Sequence, residues 1–144
     1  MTHIKKLSLE HIDSVVEIEN TCFSNPWSSE DLTAQIDNET SHFLVALIDD
    51  KVVGYMGLQI FSGEGYVTNV AVLPEYRGQG IAQALIDEQM KNKMDFITLE
   101  VRESNIPAIR LYEKTGFKNV GIRPKFYTNP TENAIIMTKY FNKY

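Results

Sequence analysis

The sequence predicts an α/β fold, a single domain over residues 1–144 with a mixed, mostly antiparallel central sheet and helices on both faces. Three observations carry this reading. Apolar residues alternate at period two over several short runs, as in half-buried strands, and switch at defined points to helical spacing. The helical stretches are interleaved with the strands. No repeat, low-complexity tract or linker divides the chain, and 144 residues are enough for one core that removes about 70% of the unfolded surface from water.

The elements follow in order. Ile4–Leu7 reads as a first short strand. Ser8 is a cap candidate, and Ile12, Val15, Val16, Cys22 and Phe23 keep a helical spacing. Asn25-Pro26-Trp27 interrupts that helix, and Ser28-Ser29-Glu30-Asp31 restarts one with hydroxyl caps and first-turn acids. In His42–Ile48, residues Phe43, Val45 and Leu47 share a face; Asp49-Asp50-Lys51 is turn chemistry, and Val52–Gln59 returns as the second arm of a hairpin. Ser62-Gly63-Glu64-Gly65 is a further turn, and Tyr66–Leu73 is an apolar strand stopped by Pro74. Ile81, Ala84, Leu85 and Met94 predict a helix from about Gly80 to Lys93. Phe96–Arg102 is a strand, Ser104-Asn105 a cap, and Ile106–Thr115 a helix with Pro107 in its first turn and Gly116 past its end. Phe117–Ile122 and Ala134–Phe141 close the sheet.

Composition narrows the function. The net charge is −5 and the longest basic cluster is Lys5-Lys6, so the basic stripe of a nucleic-acid binder is missing. An acidic surface suits a cationic partner such as an amine. No apolar run approaches the roughly 20 residues that span a bilayer, so no membrane association is expected. Cys22 is the single cysteine and the start of the chain reads as no secretion signal, so a reducing cytoplasm is expected. His3, His11 and His42 lack metal-ligand spacing, and no metal is expected.

The strongest local signal runs from Val70-Ala71-Val72 through Arg77-Gly78-Gln79-Gly80 to Ile81-Ala82-Gln83. A strand ends, a short glycine-bearing loop follows, and a helix begins. Backbone N–H groups then converge at the positive end of a helix dipole, which suits a diphosphate. Gly78 and Gly80 permit positive φ and close approach, and Arg77 adds charge. Residue types alone leave open a plain strand–helix connection. A dinucleotide-binding turn is disfavoured because Gly-x-Gly-x-x-Gln stands where a third glycine belongs, and a phosphate loop fails because no Gly-Lys-Ser/Thr follows.

At this loop the sequence resembles the GNAT acetyltransferase superfamily, whose acyl-CoA signature, Arg/Gln-x-x-Gly-x-Gly/Ala, is matched by Arg77 to Ala82. The resemblance implies that these amides hold the CoA pyrophosphate and that the Val70–Val72 backbone pairs with the pantetheine amides of acetyl-CoA. A second block, Leu99-Glu100-Val101-Arg102-Glu103-Ser104-Asn105 followed by Ala108-Ile109-Arg110-Leu111-Tyr112-Glu113-Lys114-Thr115-Gly116-Phe117, is similar to the RimI-type protein N-terminal acetyltransferases. So are Cys22-Phe23-Ser24-Asn25-Pro26-Trp27 and Ala134-Ile135-Ile136-Met137. The implied acceptor is a protein or peptide N-terminus, with a small-subunit ribosomal protein among the candidates.

Acetyl transfer needs a base for the amine, a proton donor for the departing thiolate and hydrogen bonds for the carbonyl oxygen. Glu100 lies mid-strand on the face opposite Leu99 and Val101. It reads either as a base whose pKa is raised by burial or as an ion-pair partner of Arg102 two residues on; it matches the RimI-type base. Tyr112 reads as a core tyrosine or, with Leu111 facing the core, as the proton donor that the family places at the matching position. Asn105 caps a helix, and the resemblance adds a CoA contact. Glu64, a solvated turn residue, is the fallback base. Cys22 reads as core. Trp27 reads as a simple loop anchor, and the resemblance makes Trp27 and Tyr127 candidates for peptide contact. Asn133 departs from the family's acid before Ala134, which bears on the acceptor more than on catalysis. Two other functions stay open: acetylation of a small amine or lysine side chain, and a silent acyl-CoA-binding module.

Overall fold

A computed structural model describes residues 1–141. Seven strands and four α-helices follow in the order β1 (Thr2–Lys6), α1 (Ile12–Cys22), α2 (Ser29–Ala34), β2 (Leu44–Ile48), β3 (Lys51–Phe61), β4 (Glu64–Val72), α3 (Ile81–Gln89), β5 (Phe96–Arg102), α4 (Ile106–Lys114), β6 (Lys118–Tyr127) and β7 (Glu132–Tyr140). The strands form one mixed sheet, hydrogen-bonded in the order β1-β2-β3-β4-β5-β7-β6. Neighbours β1–β2, β2–β3, β5–β7 and β6–β7 are antiparallel. Strands β4 and β5 run parallel over Glu64–Tyr66, and their recorded ladder ends at Tyr66 opposite Thr98.

The chain forms two compact units, Met1–Ile60 with Thr68–Asn92, and Phe61–Val67 with Lys93 onward. In the first, α1 buries Ile12, Val15 and Ile18 against Leu32, Phe43, Val45 and Tyr55. The hairpin between β2 and β3 turns on Asp49 and Asp50, both at positive φ (51° and 64°), as a tight right-twisting turn demands. Ser28 caps α2, its hydroxyl accepting the Asp31 N–H at 3.1 Å. Phe23 leaves α1 as its extended C-cap and is exposed, so it is not part of the apolar stripe.

Several boundaries differ from the sequence reading. The first strand is Thr2–Lys6, set by its register with Leu44–Ile48, while Leu7 still bonds the Phe43 carbonyl at 2.9 Å. The turn before β4 shrinks to Ser62-Gly63, so Glu64 opens the strand. Helix α3 stops at Gln89, not near Lys93. The Gln89 side chain is buried and donates to the His42 carbonyl at 2.6 Å, and Asn92 closes the last turn by donating to the Gln89 carbonyl at 3.0 Å. Met94 is buried from the connection that follows, not from the helix.

In the second unit, β5 alternates as its sequence demands: Ile97, Leu99 and Val101 are buried, with Thr98, Glu100 and Arg102 half-buried between them. Strand β6 runs five residues past Ile122, to Tyr127, including Pro124, which an edge strand tolerates because its outer N–H needs no partner. A bulge at Lys125 (φ 54°) breaks its register, and the Asn133 side-chain oxygen accepts the Lys125 N–H at 2.9 Å.

Candidate active site

The first unit holds the loop predicted to bind a diphosphate. Gly78 and Gly80 both sit at φ 79°, and a Cβ on either would meet nothing within 4 Å. The backbone is therefore open to close approach by a ligand at both positions. Gly80 caps α3, and the first bond inside the helix is Ala84 N–H to the Gly80 carbonyl at 3.0 Å. The N–H groups of Ile81, Ala82 and Gln83 lie ahead of that bond and have no helical partner. Three amides at a helix N-terminus beside two uncovered glycines fit a diphosphate. The Gln83 side chain points elsewhere, donating to Asp87 at 2.8 Å.

Arg77 does more than add charge. Its Nε donates to the Val72 carbonyl at 3.0 Å, tying the loop back onto the end of β4, and its Nη2 lies 3.6 Å from Cys22 Sγ. Cys22 is half-buried and packs against the core from its edge, and its thiol also lies 3.7 Å from the Val72 carbonyl. Burial pushes the thiol pKa up, and Arg77 offsets part of that rise. The last turn of α1 thus anchors the strand that leads into the loop.

A residue missed from the sequence reinforces that anchor. Glu19 is 1% exposed, and its carboxylate accepts the Trp27 backbone N–H at 2.7 Å, the Asn69 side-chain amide at 3.2 Å and the Tyr55 hydroxyl. Burial, followed by this bond to Glu19, pushes the Tyr55 pKa far up. Three donors satisfy a carboxylate that would otherwise be costly to bury. The available signal was a charged residue inside the apolar stripe of α1. Trp27 packs on Phe43, with ring centroids 5.8 Å apart, which is the anchor reading of that residue.

The second unit holds Glu100, Tyr112 and Tyr127. Glu100 is half-buried on β5 and does form an ion pair, but with Arg123 of β6, whose Nε lies 3.0 Å away, not with Arg102. Arg102 turns instead to Glu132 at 3.0 Å. Residues i and i+2 share a strand face, yet each finds its partner elsewhere: Arg123 reaches Glu100 from the edge strand β6 across β7, which sets Ile136 opposite Glu100, and Glu132 reaches Arg102 from the start of β7. Tyr112 is 7% exposed and stacks on Phe117 at 5.7 Å, whereas Leu111 is only half-buried. The expected order of these two is reversed, because α4 turns its tyrosine inward. Burial, and then Tyr127, push the Tyr112 phenol well above the usual tyrosine range. The phenol therefore stays protonated and available as a donor. Tyr127 ends β6, and its pKa is pushed up to about 12 by burial and next by the charge of Glu100.

Asn105 is exposed and caps α4, its side-chain oxygen accepting the Ala108 N–H at 3.3 Å. Glu64 is exposed and accepts the Tyr66 hydroxyl at 2.7 Å. Asn133 accepts a backbone N–H, a task a carboxylate oxygen performs equally, so its departure from an acid keeps the bulge intact. Among the described residues no group of three or more His, Cys, Asp or Glu is placed to hold a metal, and no helix is long and apolar enough to cross a membrane.

Residues 12–117 match the Acetyltransferase (GNAT) family. The chain is 33% identical to the ribosomal protein bS18-alanine N-acetyltransferase of Escherichia coli (strain K12), over 95% of this chain and 96% of that one. A Bacillus subtilis (strain 168) protein that bears the same name provisionally is 38% identical over 97% of this chain and 96% of its own length. The crystal structure of the ribosomal-protein-S18-alanine N-acetyltransferase from Escherichia coli superposes with a TM-score of 0.89 at 31% identity, covering 100% of this chain and 96% of that one.

Proposed function

Because the chain belongs to the GNAT family of acetyltransferases, we propose that it moves acetyl from acetyl-CoA directly to the N-terminal α-amine of a protein, with a small-subunit ribosomal protein among its acceptors. The observation that carries this reading is full-length similarity to enzymes of that name, in a chain that keeps a carboxylate on β5 and a buried tyrosine on α4. The whole chain acts as one catalytic domain, in the cytoplasm.

The chemistry follows from the groups in place. The backbone of Val70, Ala71 and Val72 receives the pantetheine arm, and the amides of Gly78 to Gln83 receive the pyrophosphate. Glu100 accepts a proton from the attacking amine, whose nitrogen bonds the thioester carbon. The carbon–sulfur bond then breaks, and Tyr112 gives its proton to the leaving sulfur. No acyl-enzyme is formed. Asn105 adds a contact to CoA; Trp27 and Tyr127 contact the peptide. Arg123 is 56% exposed, so it can swing into solvent and leave the Glu100 carboxylate free to work.

A panel of acceptors tests the proposal. Thiol release from acetyl-CoA is followed with a hexapeptide bearing a free N-terminus, the same peptide N-blocked but containing lysine, and a small primary amine. Turnover confined to the free N-terminus is expected. Turnover on the blocked lysine peptide or the small amine instead would move the acceptor to those classes. Binding of acetyl-CoA without turnover on any amine would make the protein a silent binding module.

A further inference from the structure

Arg102, which the sequence pairs with Glu100, is the hub of a different network within the second unit. Its Nη1 donates to the Glu132 carboxylate and to the Pro130 carbonyl, each at 3.0 Å, and its Nη2 donates to the Thr128 carbonyl at 3.0 Å. The guanidinium carbon also lies 4.5 Å from the centre of the Tyr127 ring. One side chain thus holds Thr128 and Pro130 in the turn that joins β6 to β7 and Tyr127 and Glu132 on its flanks. The second Glu132 oxygen accepts the Ser104 N–H at 2.6 Å, immediately before the Asn105 cap of α4. The pair is shielded, at 26% and 14% side-chain exposure, unlike the open Arg123–Glu100 pair.

We propose that Arg102 and Glu132 form a positioning clamp that sets the β6–β7 turn, and Tyr127 with it, for recognition of the acceptor chain. The inference rests on the reading that Tyr127 contacts a peptide acceptor. A turn between two strands is free to move unless its carbonyls find partners, and here two of them are bound by one planar fork. Arginine is required: its donors point in fixed, separate directions, whereas a lysine ammonium cannot serve a carboxylate and two carbonyls while stacking on a ring. Through Ser104 the clamp also fixes the start of the helix that carries Tyr112. Its direct bonds go to Glu132, Thr128, Pro130 and the Tyr127 ring, with Ser104 held one step further on, so its loss falls first on the acceptor.

Arg102→Met and Arg102→Lys are assayed with a free-N-terminus peptide at saturating acetyl-CoA, and with acetyl-CoA varied. Far-UV circular dichroism and melting check the fold. The peptide KM is expected to rise roughly tenfold or more in Arg102→Met, the size of a lost charged hydrogen bond, and by less in Arg102→Lys. The KM for acetyl-CoA is expected to change far less than the peptide KM, and amide exchange across Tyr127–Glu132 to speed up. Should Arg102→Met fail to fold, Arg102→Lys decides alone. An unchanged peptide KM in a folded variant, or a loss confined to kcat, overturns the clamp. A wild-type enzyme that acetylates no peptide overturns the reading beneath it, and the clamp with it, and that result is seen before any variant is made.

Discussion

The glycine loop and strand β5 are built by opposite means. From Val72 to Gln83 the work is done by backbone: two glycines at positive φ, three amides at a helix start, and one arginine folded back onto a carbonyl five residues away. Around Glu100 the work is done by side chains drawn from distant places, with Arg123 23 residues on and the Arg102–Glu132 pair 30 residues apart. A backbone site is robust to most substitutions and fragile at its glycines. A side-chain site is fragile wherever one partner is removed, because the other is left with an unpaired polar group.

Removing the proposed base is the largest way to break this contrast. Glu100→Gln keeps the shape and loses the proton acceptor, so turnover should fall by roughly 10²-fold or more. Its partner Arg123 is exposed, so the melting temperature and acetyl-CoA affinity should stay near wild type. A variant that mainly loses stability and keeps turnover would make Glu100 structural and send the search to Glu64.

The phenol comes next. Tyr112→Phe removes one hydroxyl and almost no volume, so packing should survive and kcat should fall on the order of tenfold with little change in donor affinity. A donor that releases a more acidic thiol should suffer less. Because burial holds the Tyr112 pKa above the usual tyrosine range, the phenol stays protonated at every working pH, and the deficit should stay constant between about pH 6 and 9. An equal loss for both thiols, with chemistry rate-limiting, would leave Tyr112 as a positioning residue.

On the backbone side, Gly80→Asp places a side chain and a negative charge in the space where phosphates are to bind. Calorimetry should show acetyl-CoA affinity falling by at least about tenfold, roughly 1.4 kcal/mol. Gly80→Ala separates the causes, since it carries the strain of φ 79° without the charge and should lose less. Unchanged affinity in folded Gly80→Asp would remove the pyrophosphate assignment.

The smallest effect sharpens the boundary between the two regions. Asn105→Ala removes the α4 cap and should cost about 1 kcal/mol of stability. A fall in acetyl-CoA affinity in the same variant would show that the cap also serves the cofactor. Unchanged affinity would confine Asn105 to its helix.

What could be read from the sequence divides along the same line. Every element was legible, and β5 was placed to the residue, because alternation and helical spacing are local properties. The glycine loop was legible for the same reason. Strand β6 was cut short because Pro124 and the bulge at Lys125 interrupt its pattern, and only its pairing with β7 keeps it extended. The partner of Glu100 is not legible because spacing along one strand says nothing of what the edge strand two places away brings across the sheet. Tyr112 and Leu111 were exchanged because adjacent apolar residues on a short helix leave its rotation undetermined by composition. Glu19 was passed over although its place in an apolar stripe was visible, since nothing nearby in sequence names Tyr55 and Asn69 as its donors.

The central claim, direct transfer to a protein N-terminus, is tested most directly by mass spectrometry of cell proteins treated with the pure enzyme and isotopically labelled acetyl-CoA. Label is expected on N-terminal α-amines, with a small-subunit ribosomal protein among the labelled chains. Label found on lysine side chains, or no labelled protein from an enzyme that still turns over a small amine, would contradict it.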